Sequence, residues 1–339
     1  MKKIMFIAAA ATVLFASCQK EKSVSFNDEN LQKEMSVLAF NQNMTKGYTG
    51  WASDQTNFEE VDDPEATTPK VDRTMRLAVS CDDGVLFTNE LFKKDASEGG
   101  DGMWHANPKK YYPVGQTKFN FLAYSVGNDA NYIGEFTGTD KITMQVGETF
   151  YQDDIIYSAN EVSGAQSDAV AMKFGHAQAW INMNLYLKKE TVEGVNFKVN
   201  SITWKNIKNE GVLTILPSSS VADVMATCSW SFFGIDAKDV KMDDAHNVLA
   251  ADLKIAEGDT PTTEELTKLN MLLPAQNHSS FVINYTIGDQ TFDYEYTPTV
   301  SAWAAGTKYI YNIGITVYEI TVNPSVVAFQ VSTESVDIK

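Results

Sequence analysis

Arginine is almost absent from this chain of 339 residues: Arg73 and Arg76 are the only two. Lysine supplies the rest of 27 bases, which face 44 acids for a formal net charge of −17. A chain this acidic, with no cluster of guanidinium forks, is unsuited to phosphate backbones or anionic headgroups, so nucleic acid is excluded as a partner. Histidine is scarce too. His105, His176, His246 and His278 stand apart and at no metal-ligand spacing, so no metal and no other cofactor is expected. A Gly-x-Ser-x-Gly elbow, a phosphate-binding loop, His-Glu-x-x-His and Cys-x-x-Cys are all missing. No catalytic residue is assigned, and an enzyme is not supported.

Cysteine occurs three times, at Cys18, Cys81 and Cys228. The first has a clear context. Lys2 and Lys3 precede an apolar stretch, Ile4 to Phe15, too short to span a bilayer as a helix. Phe15-Ala16-Ser17-Cys18 then reads as a lipobox, with Phe15 where leucine is usual. Residues 1–17 are expected to be a lipoprotein signal peptide and Cys18 the lipidated residue, so the membrane is met only through that lipid. An envelope location permits a bond between Cys81 and Cys228, but two separately buried thiols is the favoured reading.

Helix signals are equally thin. Thr262-x-x-Glu265 before Leu266 and Leu269 is the one convincing cap in the mature chain. What is present is period-two alternation. Met35 to Phe40, then Met75, Leu77 and Val79, turn at Asp82-Asp83-Gly84 and return through Val85 to Leu91. Phe119, Phe121 and Ala123 form a further strand, as do Lys141 to Val146, Val170 to Phe174, and Ile181 to Leu187. Phe281 to Ile287 and Phe292 to Tyr296 flank Gly288-Asp289 as a long hairpin. With 44% hydrophobic residues the chain can bury a large core, and its length suits two domains. Many short strands with turn signals between them predict an all-β sandwich in each half. The small, polar passage from Glu161 to Asp168 marks the expected boundary. Residues Thr45 to Arg73 form a long acidic, Pro/Thr-rich loop of the kind proteases cut.

The last stretch alternates through Tyr309, Tyr311, Ile313, Ile315 and Val317, changes parity after Tyr318, and is expected to end at Pro324. Val327, Phe329 and Val331 then share one parity of a further extended run, which must pair within its own fold or in a neighbour's. Elsewhere the bland readings prevail. His176 is expected as a buried imidazole bonded to backbone. The pairs Asp62-Asp63, Asp82-Asp83, Asp153-Asp154 and Asp243-Asp244 are expected in solvated turns. The six tryptophans fit the core and sheet edges as easily as a glycan-stacking platform.

Four stretches together resemble the fimbrillins, or type V pilins, of Bacteroidales. They are the leader with Cys18; Trp104 with Tyr111-Tyr112-Pro113 and Phe119 to Tyr124; Asp153 to Ile156 with Val170 to Ala177; and Ala305 to Asn312 with Glu319 to Pro324. The family often carries a tryptophan where this chain has Val327-Ala328-Phe329. The resemblance implies two tandem transthyretin-like β-sandwich domains after the signal peptide. In that scheme residues 18–46 are a propeptide and placeholder strand, 47–165 the N-terminal domain, and 166–339 the C-terminal domain with a donor strand at 326–338. It further implies a cell-surface pilus subunit exported as an outer-membrane lipoprotein, acting in adhesion. A trypsin-like maturation protease would cut after Lys46, with Arg73 and Arg76 as alternatives. Val327, Phe329 and Val331 would then fill another pilin subunit's opened groove. The competing reading is a surface lipoprotein that never polymerises, or a pilus-tip adhesin, with a host or glycan ligand.

Overall fold

Among the described residues, the alternating stretches named above are strands in the computed structural model. It describes residues 33–328 except 42–73, 95–102, 127–132, 148–153, 167–168, 189–196, 220–223, 244–252, 254–260, 263–266 and 317–319. Within these, β1 (Ser36–Asn41), β2 (Thr74–Cys81), β3 (Gly84–Lys94), β4 (Trp104–Ala106), β5 (Lys118–Ser125), β6 (Gly134–Thr137), β7 (Lys141–Val146), β8 (Ile156–Ser163) and β9 (Val170–His176) come first. Next are β10 (Gln178–Leu187), β11 (Phe197–Ile207), β12 (Gly211–Pro217), β13 (Ala226–Ser231), β14 (Lys238–Asp243), β15 (Thr267–Pro274), β16 (Phe281–Ile287), β17 (Gln290–Tyr296), β18 (Thr307–Ile315) and β19 (Ile320–Ala328). No helix occurs among the described residues, and the protein is all-β.

Seven strands close on themselves in the order β1-β4-β3-β2-β5-β8-β9. Closure removes the unpaired edges that an open sheet would present. The inward parity of each strand fills the interior: Met35 and Val37 from β1 and its approach, Met75, Leu77 and Val79 from β2, Phe119 and Phe121 from β5, Met172 and Phe174 from β9. The outer parity of β5 and β8 is apolar as well, through Leu122, Tyr124, Tyr157 and Ala159. These side chains pack under a second sheet, β13-β12-β7-β6. A strand covered on both faces reads as a continuous apolar run, as Phe119 to Tyr124 does apart from Asn120.

The remaining strands form two facing four-stranded sheets, β15-β10-β18-β19 and β14-β11-β16-β17. Between them lie Ile181, Met183 and Leu185 of β10, Trp204 of β11, Phe281 and Ile283 of β16, and Tyr311 and Ile313 of β18. The face of β18 predicted to be apolar is the buried one.

Three expectations change. The boundary at 165/166 falls between β8 and β9, which are neighbours in one closed sheet, with Ile156 opposite His176. Strands β12 and β13 also return to the first half, where β12 pairs with β7. Strands β9, β12 and β13 therefore belong with the first half in space. Secondly, Leu269 lies in strand β15 opposite Met183 rather than in a helix, because pairing with a buried strand overrides a local cap signal. Thirdly, β19 continues through Pro324, which sits opposite Tyr311. As the outermost strand of its sheet it can tolerate the missing N–H.

Candidate functional site: the seat of the first strand

Strand β1 is the piece of the barrel held by partners far away in sequence. On one side it runs parallel to β9, pairing Val37 through Asn41 with Val170 through Phe174. On the other it runs antiparallel to β4, with Ser36 opposite His105 and Val37 opposite Trp104. A parallel neighbour requires a long connection, and β4 follows only after β2 and β3, so β1 is tied to neither flanking strand by a tight turn. Strand β9 depends on it in turn, since only Gly175 and His176 are registered against β8.

The approach to β1 is clasped more firmly still. The Met35 N–H donates to the Lys110 carbonyl at 2.7 Å, and the Tyr112 N–H donates to the Lys33 carbonyl at 2.9 Å. The Glu34 carboxylate accepts from His105 Nδ1 at 2.8 Å and from Lys109 Nζ at 2.6 Å. Partial burial pushes the Glu34 pKa up, but these two donors outweigh it and hold the carboxyl below its ordinary value. Met35 and Val37 are fully buried in the barrel. At about 1.5–3 kcal/mol for each buried side chain, the pair contributes about 3–6 kcal/mol to keeping the strand in place. Sequence reading placed the strand but not the clasp. Glu34 lies 71 residues from His105 and 75 from Lys109, and no spacing rule links residues so distant.

The other candidate residues are scattered. Cys18, Lys46, Arg73, Phe329 and Val331 lie outside the described residues. Arg76 sits inside β2, opposite Leu91 on one side and Tyr124 on the other. A protease needs an extended, unpaired segment, so cleavage there requires opening the barrel. Val327 lies in β19 and pairs with Lys308 of its own chain. Cys81 and Cys228 are free thiols, and burial pushes the Cys228 pKa up to about 11.

His176 is buried as expected, and its Nδ1 meets the Asp154 carboxylate at 2.7 Å. Asp154 is therefore a buried partner and not a turn residue. Asp82 does behave as a turn carboxylate, accepting from the Thr117 backbone and hydroxyl. Asp243 ends β14 opposite Ser201, while Asp62, Asp63, Asp153, Asp244 and His246 lie outside the described residues. Among the described residues no group of three or more His, Cys, Asp or Glu is placed to hold a metal ion. Trp104, Trp180, Trp204 and Trp303 are buried. A cavity of about 440 Å³ lined by Asn206, Lys208, Phe232, Gln276 and Trp303 opens beside the last of these. Trp303 is only 3% exposed, which leaves no ring face for a sugar to stack on.

No curated protein sequence matches this chain closely enough to count as a relative. Solved structures do. A Bacteroides uniformis protein provisionally assigned to cell adhesion superposes with a TM-score of 0.50 at 13% identity, over 87% of this chain and 98% of its own. A Bacteroides ovatus protein with the same provisional assignment gives 0.50 at 13%, over 89% and 99%. A fimbrial protein from Bacteroides vulgatus gives 0.48 at 15%, over 76% and 92%. The first two likenesses support the fold alone. The family model described as fimbrillin-like matches residues 34–328, from the clasp residue Glu34 to the end of β19, and the chain belongs to the fimbrillin-like family.

Proposed function

We propose that this protein is a pilus- or adhesion-related surface protein, and that it assembles with other pilin subunits by replacing β1 with a strand from another copy. The observation that supports this reading most is the seat of β1, a strand bound parallel to β9 and joined by hairpin to neither neighbour. In this proposal a trypsin-like protease cuts after Lys46, or after Arg73, both of which follow β1 and precede β2 in sequence. Either cut severs β1 from the rest of the barrel. Its loss would leave β4 and β9 as open edges over an uncovered core, and an added strand would restore ladder bonds and buried side chains together. The segment 326–338 is the proposed donor.

The test is protease treatment of the chain with N-terminal sequencing of the product. We expect a new terminus at Gly47 or Thr74, release of the fragment carrying β1, and ladders of joined chains on a detergent gel. Lys46→Ala combined with Lys70→Ala and Arg73→Ala, which removes every Lys and Arg between β1 and β2, should give neither release nor ladders. Ladders from this uncut variant would refute the scheme, as would a cut chain that loses β1 and stays monomeric. Delivery to the surface is proposed to run through lipid on Cys18. Cys18→Ala should abolish incorporation of labelled palmitate, and undiminished labelling would contradict it.

A further inference from the structure

The chain carries a second copy of its own first strand. Residues 36–41 read Ser-Val-Leu-Ala-Phe-Asn and residues 325–330 read Ser-Val-Val-Ala-Phe-Gln. Four of the six positions are identical, and the other two exchange Leu for Val and Asn for Gln. The first copy is the whole of β1; the second begins in the last four residues of β19. From this match we infer that the seat of β1 accepts Ser325–Gln330 of a second copy of this chain, in the register that places Val326 where Val37 lies and Ala328 where Ala39 lies. The inference rests on the strand-replacement reading above and specifies its partner and register.

This register has consequences for each side chain. Val37 points into the barrel and is fully buried, whereas Leu38 points outward and is 46% exposed. Val326 therefore turns inward in the acceptor, and Val327 and Phe329 turn outward. That is the opposite parity from the one expected from alternation alone. Val326 has little to lose in its own chain, where it is 48% exposed at the end of an edge strand. Leaving that place gives up only the pairings of residues 325–328 with Ile310, Tyr309, Lys308 and Thr307.

The match also stops at an informative point. In the same register Pro324 falls at Met35 and Asn323 at Glu34. Proline has no N–H to give the Lys110 carbonyl, and asparagine brings no charge to His105 and Lys109. The resident strand thus has two ties that the incoming one lacks. An uncut chain keeps its own strand, and replacement waits for the cut.

Two substitutions in the full chain read the register. Val326→Asp places a carboxylate inside the acceptor barrel, and Val327→Asp places one on its solvent face. Each variant is first melted uncut, to show that it folds like the parent, and then cut and scored for ladders. We expect at least a tenfold loss of ladders for Val326→Asp and less than a twofold change for Val327→Asp. As a check independent of folding, a peptide of residues 323–333 added to the cut parent should suppress ladders, and the same peptide with Asp at 326 should not. Loss at 327 with tolerance at 326, or equal loss at both, overturns the register while leaving strand replacement standing. Full assembly by both variants overturns the donor assignment. Assembly by a chain truncated before Ser325 would remove strand replacement by this terminus altogether.

Discussion

At the scale of single residues, the surroundings of His278 move its protonation well into the acid range. Its ring stacks on Trp303 with centroids 4.4 Å apart and meets the edge of Trp204 at 5.4 Å. Burial disfavours the imidazolium there and lowers its pKa to about 4. The unfolded chain, with an ordinary histidine near 6.5, takes up the proton first as pH falls. Stability from this residue is therefore complete above about pH 6.5 and is lost progressively as pH drops towards about 4. At about 1.4 kcal/mol per pKa unit the loss is about 3 kcal/mol at most. Urea melts at pH 7 and pH 4.5 should show it, and His278→Phe, which keeps a stacked ring but cannot titrate, should show a shallower fall. An equal fall in the variant would assign the acid sensitivity to other groups.

Among elements, β6 shows how a four-residue edge strand is fixed in place. The Gly134 N–H donates to the Tyr124 hydroxyl at 2.8 Å, and the Tyr124 ring packs closely against the glycine. A Cβ at Gly134 would come within 2.7 Å of that ring and 2.8 Å of Ile142, both fully buried. Gly134→Ala should accordingly destabilise the chain by about 1–3 kcal/mol through overpacking, read as a lower melting temperature. An unchanged melting temperature would show that β6 contributes little to the second sheet. Strand existence was legible in the sequence, because alternation in β2, β10, β16 and β18 reports directly which face meets a core. Partnership was not. Nothing in Val37 to Asn41 indicates that they lie beside Val170 to Phe174, and nothing in Gly211 to Pro217 indicates a return to β7. Period two encodes a strand's faces, while its neighbour is decided by which closure buries most apolar area. The clasp at Glu34 was hidden for the same reason.

The whole molecule is a polyanion that is proposed to join its own kind. Residues 1–46 hold six of the 27 bases and four of the 44 acids, so a chain cut after Lys46 carries 21 bases, 40 acids and a net charge of −19. Copies of like charge repel at long range, over a screening length of about 30 Å at 0.01 M salt and about 8 Å at 0.15 M. Ladder formation by the cut chain should therefore speed up several-fold across that range. A rate that falls with salt would indicate steering by local opposite charges instead. One feature of the fold governs a different property. Strands β9 and β10 are a single run interrupted only at Ala177, with the His176–Asp154 pair buried beside the bend. The first half of this run walls the seat of β1, and the second half lies parallel to β18, which holds β19. Tension applied to a filament so built would enter at β19, cross to β18 and β10, and follow covalent bonds along the run to the strand seated beside β9. The sheets β14-β11-β16-β17 and β13-β12-β7-β6 flank that line and are not in series with it. With residues 325–328 withdrawn into the next subunit, five registered pairs would still join β18 to β19 and eight join β10 to β18, while the seat offers five with β9 and two with β4. A stretched filament would therefore carry its load through two joints of similar size, the seat itself and the part of β19 that stays beside β18.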